Sequence, residues 1–183
     1  MRGGRPSVRK YLVLALVAGV LGGCGSAPQP PAPAASVASA FNPTDAAWLG
    51  LMIPMDEQFL HILGFAPTNS TNPAVRRWAA ELTVAHQAEL KRLIALRDRA
   101  RLPTANAHAG HNMPGMMTDE EVAALQKLRG PAFDKVLRTE VKDHLAQSAL
   151  VTRSVKAAGQ EAGVKQLAVA IEKDRAAQTA RLG

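Results

Sequence analysis

The chain has 183 residues, of which 47% are hydrophobic, 20% charged and 4% aromatic, with a formal net charge of +7. That charge is not a nucleic-acid signature, because Arg2, Arg5, Arg9 and Lys10 cluster at the start and the rest of the chain carries only +3. A single cysteine excludes an internal disulfide and a Cys-based zinc or iron-sulfur site, which leaves any metal chemistry to His, Met or carboxylates.

The four cations precede an apolar run from Tyr11 to Leu21 and then Gly22-Gly23-Cys24, the order of parts in a secretory signal peptide. Eleven apolar residues fall well short of the ~20 that a membrane-crossing helix needs, so residues 1–23 read as a removable leader. Gly22, Gly23 and Cys24 resemble the lipobox of bacterial lipoproteins, which implies a diacylglycerol on the Cys24 sulfur and a palmitate-bearing membrane anchor. Two acyl chains suffice for stable anchoring where one does not. The expected location is therefore the extracytoplasmic face of a cell membrane, held there by lipid. Residues 24–40 hold Pro28, Pro30, Pro31 and Pro33 among Ala, Ser and Gln, a composition of extended, solvated chain. They read as a tether, and residues 41–183 as one domain large enough to bury a core.

Within that domain Asn42-Pro43-Thr44-Asp45 has the form of a helix start. Trp48, Leu51, Met52, Met55, Phe59, Ile62 and Leu63 then follow at helical spacing as far as about Phe65, past a Pro54 expected to kink the helix. Asn72-Pro73 opens a second helix, with Val75, Trp78, Ala79, Leu82, Leu90 and Leu93 on one face, ending near Arg101. Thr118-Asp119-Glu120-Glu121 is a capping box for a short helix that Gly130-Pro131 is expected to end. A long helix over residues 132–158 carries Phe133, Leu137, Val141, Val151 and Val155, with Gly159 expected as its C-cap. The last helix uses Val164, Leu167, Ala168, Ile171 and Leu182.

Four principal helices with one apolar stripe each hide those stripes against one another, so the fold class is all-α, an up-and-down four-helix bundle. Residues 74–79 also line up with residues 163–168, and Arg92-Leu93 with Arg181-Leu182, so the bundle reads as two related helical hairpins. A short extra helix lies in the connection between them.

That connection concentrates His108, His111, Met113, Met116 and Met117 in ten residues, while the whole chain has only five histidines and six methionines. Thioether sulfur with imidazole suits Cu(I), and Gly110, Pro114 and Gly115 permit turns that gather the donors. Spacing alone also allows, and favours, Met113, Met116 and Met117 as adaptable hydrophobes that plug the end of the bundle. Elsewhere His61 and Glu57 form an i,i+4 pair off the apolar seam, whereas His86 and His144 project along their seams. Asp56 and Asp143 are the carboxylates placed to face such histidines. Glu57 to His61 and Glu140 to His144 are each one residue too long for the Glu-x-x-His of di-iron bundles, and there is no phosphate loop, nucleophile elbow or H-E-x-x-H. The chain is not expected to be an enzyme.

The leader with its lipobox, the paired hairpins and the turn Met113-Pro114-Gly115-Met116-Met117-Thr118 together resemble the exported bacterial proteins grouped as "domain of unknown function 305". The resemblance spans residues 41–182 and implies a ferritin-like bundle and, from some members, copper binding or copper tolerance. It also implies a His-His pair in each hairpin. Here the first pair is Met55-Asp56 and the second Asp143-His144, which leaves the loop donors as the better match. The expectation is a non-catalytic lipoprotein that takes copper, as Cu(I), through His108, His111, Met113, Met116 and Met117, with help from His144 and Met55. The alternative is a degenerate member without metal, acting as a surface structural or protein-interaction module.

Overall fold

The structure, a computed structural model, describes residues 40–182, so the leader, Cys24 and all but the last residue of the tether lie outside it. Six helices make up the described domain: α1 (Pro43–Leu63), α2 (Ala66–Asn69), α3 (Pro73–Arg99), α4 (Asp119–Lys127), α5 (Gly130–Ala158) and α6 (Ala162–Leu182). No strand occurs among the described residues, and no described helix is long and apolar enough to cross a membrane.

The caps sit where local chemistry puts them. Asn42 Oδ1 accepts from the Asp45 amide at 2.9 Å while Asp45 Oδ2 accepts from the Asn42 amide at 2.9 Å, a reciprocal box that satisfies two orphan donors. Thr118 and Glu121 form the same device on α4. Asp45 does more, because its buried carboxylate also accepts from the Gln160 and Glu161 amides at 3.1 Å and so ties the start of α1 to the turn between α5 and α6.

One expectation about a glycine is corrected. Gly130-Pro131 does not end α4; it opens α5, with Gly130 at φ +57° making the bend and Pro131 in the first turn, where a missing N–H costs nothing. Gly159 is the C-cap of α5, as expected, with its N–H donating to the Val155 carbonyl, in an extended and not a left-handed conformation at φ −68°. It is glycine because a Cβ there would lie 2.5 Å from Asp45 Oδ1 and 2.6 Å from the Val155 carbonyl oxygen. The short α2 has no counterpart among the expected helices, and α1 continues through Pro54, which is buried.

Helices α1 and α3 form one hairpin and α5 and α6 the other, with α1 against α5 and α3 against α6. Asn42 Nδ2 donates to the Ala158 carbonyl and Arg99 Nη2 to Glu161 Oε1, so one end of the bundle gathers the start of α1, the end of α3, the end of α5 and the start of α6. Neighbouring helices therefore run antiparallel, while α3 and α5 point the same way. Residues 100–129 must climb the length of the bundle between them, the single long crossover of ferritin-like folds. The crossover passes α1 from Ala46 to Glu57 and is fastened at Met117, whose N–H donates to Gln58 Oε1 and whose carbonyl accepts from Gln58 Nε2, both at 2.7 Å. Gly115, at φ +77°, packs so closely on α5 that a Cβ would lie 2.5 Å from Gln147 Cβ.

The apolar core forms two clusters. One holds Phe59, Ile62, Val75, Leu82, Phe133, Leu137 and Leu182; the other holds Trp48, Met52, Met55, Leu93, Val155, Leu167 and Ile171. Met117 belongs to the first and Met116 packs against the second, so the crossover steps from one to the other between adjacent residues.

Candidate functional site

Between the clusters every long helix turns a polar side chain inward. Asp56 comes from α1, His86 and Glu89 from α3, His144 and Ser148 from α5, and Arg175 from α6; all are buried, with Asp56 and His86 at 0% exposure and Arg175 at 1%. Helical spacing puts His86 with Glu89, His144 with Ser148, and Arg175 with Gln178 on shared faces, so four helices deliver one layer.

His86 Nδ1 lies 2.8 Å from Asp56 Oδ1, and its Nε2 lies 3.3 Å from Arg175 Nη1. Guanidinium has donors only, so the ring nitrogen facing it is the unprotonated one, and the imidazole proton sits on Nδ1 and donates to Asp56. Arg175 also donates bidentately to Glu89, at 2.6 and 2.9 Å, from Nε to Ser148 Oγ at 2.7 Å, and from Nη1 to Gln178 Oε1 at 3.3 Å. His144 stacks on Phe59 with ring centroids 3.9 Å apart and planes 3° from parallel. Its Nε2 is 3.7 Å from Asp56 Oδ1, beyond hydrogen-bond reach, and both that nitrogen and Asp56 Oδ2 are buried without a partner.

Burial and neighbours set the charges of the layer. Burial works to raise the Asp56 carboxyl, but the imidazoles of His144 and His86 and the charge of Arg175 outweigh it and hold the group well below the usual carboxylate range. Burial lowers His144 to about 4, reinforced by the charge of Arg175. His86 is lowered by burial too, against the pull of its Asp56 bond. Burial pushes Glu89 up to about 7 against the attraction of Arg175, with the negative charge of Asp56 adding to the push. At neutral pH the layer thus holds two neutral imidazoles, the Asp56 carboxylate and one permanent cation, with Glu89 near the midpoint of its titration.

Asp56, His86 and His144 each place a possible ligand atom within 4.8 Å of the others, a cluster of the kind that can hold a metal ion. Of the residues read from the sequence, His86, His144 and Asp56 meet here. Asp143 does not: it is exposed, because one residue along a helix turns a side chain by about 100°. Glu57 and His61 are both exposed, and His61 stands edge-on to Phe65, with centroids 4.9 Å apart. Met55 packs at 1% exposure in the second apolar cluster.

The loop donors form a separate group on the outside of α1. His108, His111, Met116 and Met117 line one recess of about 350 Å³ together with Gln58, Asp119 and Glu120, and Met113 is half-buried outside that lining. Met117 is largely consumed by packing, at 8% exposure, while His111 is exposed and His108 half-buried.

Sequence reading missed Glu89, Ser148 and above all Arg175. The repeat held a signal for them. The offset that superposes Val75 on Val164 puts His86 on Arg175, which are 89 residues apart, and Glu89 on Gln178. Matching Pro43 with Pro131 likewise puts Asp56 on His144. The layer is therefore the internal symmetry of the two hairpins meeting at its centre.

A "Domain of unknown function (DUF305)" profile matches residues 45–183. No curated protein matches the chain. Solved structures that share the fold include two DUF305 proteins. One, described as "putative secreted protein DUF305" from Streptomyces coelicolor, has a TM-score of 0.66 at 18% identity, covering 76% of this chain and 89% of that one. The other, a DUF305 fragment from Deinococcus radiodurans, has a TM-score of 0.69 at 17% identity over 78% and 94%. With its paired hairpins, its single crossover and a profile match over nearly the whole domain, the chain belongs to the DUF305 family.

Proposed function

We propose that this protein is a non-catalytic, lipid-anchored protein of the extracytoplasmic membrane face that binds copper, as Cu(I), at the crossover recess, in metal sequestration or tolerance. The observation that carries the reading is the lining of that recess, where His108, His111, Met116 and Met117 surround one space open to solvent. Imidazole with thioether is a donor set that suits Cu(I) and binds hard cations weakly. The leader and Cys24 support export and lipidation, and the Streptomyces protein of the same fold is described in terms of secretion. Sequestration asks for affinity alone, so the reading needs no nucleophile or general base.

An anaerobic Cu(I) titration against a chromogenic competing chelator tests this. Stoichiometric uptake is expected, lost when His108, His111, Met113 and Met116 are changed to Ala, with circular dichroism checking that the bundle remains. Unchanged affinity in that variant would remove copper from the recess. A second reading, a structural or protein-interaction module without metal, is favoured by the packing of Met117 into the core; it predicts that the wild type does not compete with the chelator at all.

A further inference from the structure

The bundle centre has the outward marks of a metal site: an Asp and two His converge, and Asp56 Oδ2 and His144 Nε2 are buried with nothing bonded to them. We propose that Arg175 is the permanent resident cation of this centre and the residue that decides metal placement in the protein, closing the Asp56, His86 and His144 cluster so that metal is taken only outside the core.

Three observations carry this. The first is the lone pair of His86. Its Nε2 accepts from Arg175 and its Nδ1 proton donates to Asp56, so neither nitrogen is free to coordinate. Freeing Nδ1 for a metal would move the proton to Nε2 and set an N–H against a guanidinium N–H at 3.3 Å. The second is charge. Arg175 Nη2 lies 3.7 Å from Asp56 Oδ1, so an incoming cation would meet a positive group that cannot lose its proton. The third is rigidity. Glu89, Ser148, Gln178 and His86 all accept from the guanidinium, which is 1% exposed, and these anchors keep it from swinging aside. The repeat shows how the arrangement is built: where the first hairpin has the imidazole of His86, the second has Arg175, so a cation occupies the place a further ligand would take.

The test is a metal titration of the full chain, labelled with ¹⁵N at histidine and followed through all five rings by NMR, using Zn(II) and, under anaerobic conditions, Cu(I). In the wild type the His86 ring should show the Nδ1–H tautomer, and the signals of His86 and His144 should not move at stoichiometric metal. A stoichiometric shift of either core ring would overturn the proposal. His108 and His111 report the recess independently, so loss of the copper reading and loss of this one are told apart. The double variant Glu89→Gln with Arg175→Met removes the cation and one compensating anion together; in it Zn(II) should shift both core rings. A folded double variant whose core rings ignore Zn(II) would also overturn the proposal, and if the variant does not fold, the wild-type rings still decide.

Discussion

The chain gathers histidine in two places, and the surroundings give the same side chain two different chemistries. In the central layer His86 is held between a carboxylate and a guanidinium, and His144 is stacked on Phe59 out of reach of water. Along the crossover His108 and His111 sit on turns held by backbone bonds, such as His111 N–H to the His108 carbonyl at 3.1 Å, and both line the open recess. Burial with a fixed counter-charge turns ligand-type residues into structure, whereas shallow placement leaves lone pairs available. Convergence of donors therefore does not by itself make a metal site; the positive charge nearest to them decides.

The comparison is broken most severely at Arg175. Arg175→Leu leaves Asp56 and Glu89 buried without their shared cation, and should cost about 3–5 kcal/mol in urea unfolding. Adding Glu89→Gln should restore part of that loss. A cost near that of a surface substitution would show that the layer is held together by something other than its ions.

The pH dependence separates the members of the layer. His144 titrates at about 4 in the folded protein and from 6.5 as its ordinary value, so the unfolded chain takes up the proton first. Stability from this ring is therefore lost as pH falls from about 6.5 to about 4, on the order of 3 kcal/mol in all. Glu89 has the opposite sign. Raised from 4.5 to about 7, it contributes stability that is complete below its unfolded value and is lost as pH rises through about 7. The two slopes oppose each other between 4.5 and 6.5. Glu89→Gln should uncover the histidine slope, giving a steeper loss on acidification than the wild type. Denaturation at three pH values across that window checks it, and an unchanged slope would refute the pairing.

A smaller effect sharpens the other side of the comparison. Gln58→Ala removes both bonds that fasten Met117 to α1 and should cost about 1 kcal/mol of global stability. Its mark should be local: faster hydrogen exchange over residues 113–118, with the amides of α3 and α6 unaffected.

Much of the fold was legible because it is written in local chemistry. Asn42, Asn72 and Thr118 cap helices through bonds two or three residues long, and apolar spacing placed the stripes. Gly-Pro was ambiguous because the pair serves either side of a helix boundary; only the fold shows Gly130 bending into α5. Gly159 was legible as the C-cap of α5, but the reason it must be glycine, a carboxylate from the far end of the sequence, has no local trace. At the centre, seam position was enough to bury His86 and His144, but choosing Asp56 over Asp143 needed the packing of α1 on α5. Arg175 was least legible, because a lone arginine on an amphipathic helix ordinarily marks the solvated face, and only its register with His86 distinguishes it.

The Asp45 carboxylate has a mechanical consequence. A pull on the chain from its N-terminal side enters the domain at Phe41, which packs against the second apolar cluster, and at Asn42, which is bonded to Asp45 and to the last carbonyl of α5. Asp45 passes the load to the amides of the turn that leads into α6, and Arg99 of α3 is joined to the same turn through Glu161. Tension applied there is shared among all four long helices within their first or last turns, so α1 is not peeled away alone and the crossover recess lies off the line of force.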